Sequence, residues 1–89
     1  MKRVRIYISG KVQGVFYRRS TWEKARALNL TGWVRNLDNG MVLVEAQGLP
    51  NDIEKLVQWC YIGPDGATVT GIETGFVPPQ DEEGFRILR

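Results

Sequence analysis

The chain has 89 residues, 43% of them hydrophobic and 25% charged, with a formal net charge of +2. That is the make-up of one small soluble domain, residues 1–89, with apolar content for a single modest core; no run approaches the ~18 apolar residues of a membrane span, and so small a net charge does not indicate nucleic acid. There is no histidine and one cysteine, Cys60, which excludes His-based triads, an internal disulfide and multi-thiolate metal sites.

Val4, Ile6 and Ile8 alternate with Arg5, Tyr7 and Ser9, the period-two pattern of a half-buried strand. No apolar leader precedes it, so the cytoplasm is the expected location. Next comes Gly10-Lys11-Val12-Gln13-Gly14-Val15-Phe16-Tyr17-Arg18. Its two glycines allow positive φ and close approach of the backbone. Successive N–H groups in such a turn form an anion-binding nest, and a helix start adds unpaired amides at the same place. Arg18 offers a planar cationic fork suited to gripping a phosphate through two bonds. The spacing is neither that of a Walker loop nor that of a dinucleotide fingerprint. A glycine-bearing strand–helix loop is common, and an arginine in a first helical turn is usually solvated. The local pattern alone therefore leaves phosphate binding open.

Residues 17–29 read as helix, with Tyr17, Thr21, Ala25 and Leu28 on one face. Glu23, Lys24 and Arg26 form its wet side, Trp22 sits at the boundary, and Leu30-Thr31-Gly32 ends it. Two strand-like runs, 33–37 and 41–47, flank Asp38-Asn39-Gly40, a strong hairpin signal. Val42, Val44 and Ala46 are the expected core face. Pro50 suits a helix start, and Asn51 with Glu54 resembles a capping box. Ile53, Leu56, Val57 and Cys60 form a helical stripe, which makes Cys60 a small core residue rather than a nucleophile. The position where a cysteine-dependent phosphatase loop carries its arginine holds Gly66, so that chemistry is excluded.

Gly63-Pro64 stops the second helix, and Pro64-Asp65-Gly66 is a turn. Residues 68–77 read as strand, with Gly71 and Gly75 marking a bulge or irregular edge. Asp81-Glu82-Glu83 lie in a polar loop and read as solvated carboxylates rather than a metal site. Residues 85–89 form a last short strand. The order β-α-β-β-α-β predicts a ferredoxin-like α+β sandwich: an antiparallel sheet with two helices on one face, plus the short C-terminal strand. RNA-recognition domains share this order but stack bases on aromatics of the central strands. Residues 41–47 carry none, which argues against a nucleic-acid partner.

The stretch V-Q-G-V-F-Y-R within residues 10–18 resembles the signature of acylphosphatases. Gly32-Trp33-Val34-Arg35-Asn36 resembles that family's second motif, and Gly63-Pro64 followed by Ala67 and Val69 is similar to its later pattern. The likeness runs from residue 4 to residue 88. It implies hydrolysis of a carboxyl–phosphate anhydride without metal or cofactor, on a small acyl phosphate, with inorganic phosphate as product and competitor. It also implies that Arg18 grips the phosphate and that Asn36 orients the attacking water. The amides of Gln13, Gly14, Val15, Phe16 and Tyr17 would complete the cradle. A free-standing monomer, with no membrane partner, is expected. Tyr17 stands where phenylalanine is more frequent, and Leu37 where some members carry a threonine that steadies the asparagine. That second departure keeps a phosphate-sensing module in view as the competing function.

Overall fold

The computed structural model, which describes residues 1–89, turns the N-terminal alternation into a long strand, Lys2–Lys11 (β1). Val4, Ile6 and Ile8 are buried on one face and lie opposite Ala46, Val44 and Val42 of Val42–Gly48 (β3), antiparallel. Thr31–Asn36 (β2) pairs with the other side of β3, and Thr68–Val77 (β4) with the other side of β1, both antiparallel. The sheet order is β4-β1-β3-β2-β5. Each of the two β-α-β crossovers spans one intervening strand, as in a ferredoxin-like sandwich.

The short C-terminal strand, Phe85–Ile87 (β5), adds itself to β2 in parallel, so the sheet is mixed rather than wholly antiparallel. The chain reaches that edge because Trp22 Nε1 donates to the Phe85 carbonyl at 2.9 Å and the Leu88 amide donates to the Val34 carbonyl at 2.8 Å.

The first helix, Tyr17–Ala27 (α1), buries Tyr17, Thr21 and Ala25. It ends earlier than the pattern of residues 17–29 suggests, and Asn29 rather than Gly32 stops it. Asn29 takes φ 58, the Leu30 amide reaches the Ala25 carbonyl at 2.9 Å and the Asn29 amide reaches Arg26 at 3.0 Å. This is a Schellman closure, with asparagine in the left-handed position usually held by glycine. Gly32 instead lies inside β2.

The second helix, Pro50–Cys60 (α2), buries Ile53, Leu56 and Cys60, while Val57 is only partly covered. The expected capping box does not form. The N-cap is Leu49, without a side-chain bond, because Pro50 already occupies the first helical position and puts Asn51 inside the helix. The Asp38-Asn39-Gly40 hairpin forms, closed by a 2.9 Å bond from the Leu37 amide to the Met41 carbonyl. Asn39 keeps a negative φ and Gly40 alone turns left-handed (φ 92), which matches a three-residue loop rather than a two-residue Asn-Gly turn.

The register of β1 against β4 slips between Ser9 and Gly10, opposite Gly71 and Val69. Thr70 is thereby left over as the extra residue of a bulge, close to where Gly71 marks the sequence. Gly75 pairs with Arg5 without a slip. At the bulge Gly10 takes φ 124, and a Cβ there would lie 2.1 Å from the Thr68 carbonyl oxygen, so no other residue fits. The strand therefore continues through Lys11, and the loop proper is shorter than residues 10–18: it is the segment 12–16 between β1 and α1.

Candidate active site

The bulge at Gly10 redirects the chain out of β1 and over the end of the sheet. From there it runs through Gly14 (φ 76) to Phe16, the N-cap of α1. Phe16 is itself left-handed (φ 64, ψ 25), a conformation that costs a non-glycine residue ~1–3 kcal/mol and tends to be kept where the local geometry matters. The residue is 81% exposed. The helix start it introduces has no side-chain cap and no acidic residue in its first turn. Amides at a helix start have no intrahelical partner, so this end of α1 is suited to an anion.

A cleft of about 430 Å³ opens there, lined by Val12, Gly14, Phe16, Tyr17, Arg18, Arg19, Asn36 and Ile87. Five of the sequence-predicted residues thus come together: Gly14, Phe16, Tyr17 and Arg18 from the loop and helix start, and Asn36 from the end of β2. Arg18 and Arg19 are the only ionisable lining residues besides Tyr17, so the cleft is cationic. The Arg18 guanidinium is half-buried and donates from Nη1 to the Leu88 carbonyl at 3.1 Å, which ties it to the segment just past β5. Arg19 is exposed, and its guanidinium lies 5.2 Å from the centre of the Trp22 ring.

Gln13 and Val15 do not line the cleft. Val15 is partly buried against the hydrophobic core. The Gln13 side-chain amide donates to the carbonyls of both Leu37 and Met41, each at 2.8 Å, and so bridges the loop to the hairpin just beyond Asn36. Tyr17 lines the cleft from within the core. It is 1% exposed, its hydroxyl donates to the Cys60 carbonyl at 2.6 Å, and its ring is tilted against Trp59 at 5.5 Å. Burial, then the neighbouring Cys60, raises the Tyr17 pKa far above its ordinary value. Tyr17 is therefore a neutral packing residue whose possible ligand group is its backbone amide. Burial also pushes the Cys60 thiol up to about 12, which leaves it no thiolate for nucleophilic work.

Sequence reasoning missed the double grip of Gln13, the Leu88 carbonyl behind Arg18 and the left-handed Phe16. The first two depend on contacts distant along the chain, and no local pattern marks them. Of the acidic trio, Glu82 is taken up by Arg3, at 2.9 Å, and by Arg86, at 3.2 Å.

The chain matches the sequence profile of the acylphosphatase family over residues 4–87. The chain belongs to that family. It is 51% identical over 87 residues to an acylphosphatase of Rubrobacter xylanophilus, covering 97% of this chain and 79% of that protein. Among solved structures it is similar to an acylphosphatase from Coxiella burnetii (TM-score 0.95, 39% identity, 98% of this chain and 92% of that one). It is equally similar to the acylphosphatase from Bacillus subtilis (TM-score 0.96, 31% identity, the whole of both chains). Family membership makes the chain an acylphosphatase-type hydrolase with the ferredoxin-like fold shared by those structures. No helix is long and apolar enough to cross a membrane.

Proposed function

We propose that the cleft hydrolyses the carboxyl–phosphate bond of small acyl phosphates, releasing a carboxylate and inorganic phosphate without metal or cofactor. The observation that carries this reading is that Arg18 and Asn36, brought by different elements, line one cationic cleft beside an uncapped helix start. Arg18 and the amides of Gly14, Phe16 and Tyr17, the loop residues that line the cleft, hold the phosphoryl oxygens and stabilise the charge on them. Asn36 holds a water in line with the bond to the acyl oxygen. The water oxygen bonds to phosphorus as that bond breaks, and the electron pair leaves with the carboxylate. Such a leaving group needs no protonation, so a site without histidine suffices. Phosphoryl transfer asks mainly for positioning and charge stabilisation. Asparagine is not a base, and a phosphoryl oxygen of the substrate takes the proton of the water.

Optical loss of a simple aromatic acyl phosphate, with EDTA present and inorganic phosphate as competitor, tests this. Turnover should persist in EDTA, be inhibited by phosphate and vanish in Arg18→Ala. Arg18→Lys should still lose most activity, because the two-pronged contact is gone. Asn36→Ala should lower kcat about 10²–10³-fold, as for loss of one preorganised polar group. Phosphate binding without turnover would instead make the cleft a sensing site. A pH–rate profile with an essential group of the protein titrating near neutrality would refute proton transfer to the substrate.

A further inference from the structure

We infer that Gln13 is a positioning residue for the attacking water, acting through its side chain on the strand end that carries Asn36; this rests on the hydrolytic reading above. Arg18 and Asn36 belong to different elements, and their separation is set by how loop 12–16 sits on the β2–β3 hairpin. The Gln13 amide fixes that seating. Both of its N–H groups are donated at 2.8 Å, one to the Leu37 carbonyl and one to the Met41 carbonyl. Leu37 directly follows Asn36, and Leu37 and Met41 are the pair that closes the hairpin.

A primary amide is well matched to this position. It presents two donors from one nitrogen, whereas a carboxylate has none and a hydroxyl has one. The side chain is partly buried and stays out of the cleft, so it touches neither phosphate nor water. The phosphate cradle is built from backbone amides and Arg18, and Arg18 is held separately by the Leu88 carbonyl. The loop keeps further anchors of its own in buried Val12 and in Val15 packed on the core, so losing the Gln13 bridge loosens Asn36 relative to the phosphate more than it moves the groups that grip the phosphate. The Leu37 side chain has no polar group with which to steady Asn36, which leaves this bridge as the polar tie between the loop and the strand end after Asn36.

The test is the kinetics of Gln13→Met, close in shape but without donors, and of Gln13→Glu, equal in size but with acceptors facing two carbonyls. Folding of each variant is checked by thermal melting. Expected is a fall in kcat of about ten- to a hundredfold, the scale of a small misplacement of a reacting group, with competitive inhibition by inorganic phosphate changed no more than a few-fold. The same substitution is then made in Asn36→Ala, where it should cost nothing further, since its effect runs through Asn36. If wild-type kcat is retained, or the inhibition constant for phosphate weakens in step with kcat, or the loss is undiminished in Asn36→Ala, the role assigned to Gln13 is wrong. Each of those results leaves the hydrolytic reading standing; it falls only if the wild type itself fails to turn over the acyl phosphate, and this inference falls with it.

Discussion

On the helix-covered face of the sheet, Val4, Ile6 and Ile8 of β1 meet Ala46, Val44 and Val42 of β3; on the far face the same two strands set Arg3 against Gln47 and Arg5 against Glu45. Along β3 both faces are covered, for all seven of its residues are buried, whereas on the far face of β1 the Arg5 side chain stays 42% exposed. The near face is covered by α1 and α2 and held by apolar contact, which is non-directional and spread over many residues. The loop that follows β4 covers the Arg3–Gln47 end of the far face. Gln47 donates to the Gln80 carbonyl and accepts from the Gln80 amide, each at 2.8 Å. Arg3 is fully buried, donates to Glu45 at 2.6 Å, and lies 2.9 Å from a Glu82 oxygen, a close charge contact not aligned as a hydrogen bond. Arg5 meets the other Glu45 oxygen through both Nε and Nη2. One face tolerates the loss of a methyl group; the other depends on each partner, because a buried charge left alone is expensive.

The largest expected effect follows from that dependence. Glu45→Ala leaves the buried Arg3 with only the unaligned Glu82 contact and a long bond to Gln47, and should destabilise the fold by up to about 3–5 kcal/mol, the usual cost of breaking a buried pair from one side. That is a large part of the ~5–15 kcal/mol available to a small domain. Denaturant unfolding of the wild type and the variant reads it directly, and Glu45→Gln, which keeps an acceptor, should lose less. A loss under ~1 kcal/mol would reduce the network to an ordinary surface pair and abolish the contrast between the faces.

The same contrast explains what was legible in the sequence. The near face was readable because period two in β1 and β3 and period 3.6 in α1 and α2 report apolar burial directly. The cleft was readable in part, since Gly14, Arg18 and Asn36 lie in local motifs. The far face was hidden. Arg3 and Arg5 alternate with valine and isoleucine as solvated side chains would, and nothing local says that Glu45 will pair with both or that the loop at residues 78–84 will close over Arg3. Asp81-Glu82-Glu83 looked like one wet cluster, yet Glu82 is spent on Arg3 and Arg86. The Gln13 grip and the parallel return of β5 were hidden for the same reason, because each joins residues far apart in sequence. The halted α1 and the missing capping box are a different matter: two adjacent signals competed, and backbone geometry favoured Asn29 over Gly32 and Pro50 over Asn51.

Acid should separate the faces next, by a smaller amount than the substitution. Burial works to raise the Glu45 pKa, but hydrogen bonds from Arg3 and Arg5 outweigh it and hold the carboxyl below its ordinary value. With the folded value depressed, this contribution is fully present above the unfolded pKa, ~4.3 for a glutamate, and is lost as pH falls through the lower folded value. Unfolding free energy should therefore drop on acidification from about pH 4.3 downward, and the drop should be shallower in Glu45→Ala, which has already lost the group. Parallel curves for the two proteins would assign the acid sensitivity to other carboxylates.

The smallest effect belongs to the near face and serves as its signature. Ile6 is fully buried opposite Val44, and Ile6→Val removes one methylene from a packed but apolar site, at a cost of about 0.5–1.5 kcal/mol. The ionisable members of that core, Tyr17 and Cys60, have raised pKa values and stay neutral through the acid range, so the cost should be the same at neutral pH and in acid, where Glu45→Ala becomes progressively cheaper. Measured together, the two substitutions should give one pH-independent and one pH-dependent penalty. If the Ile6→Val cost also shrank in acid, the two faces would be coupled through β1, and the far-face network would be setting the packing of the core as well as holding down its own loop.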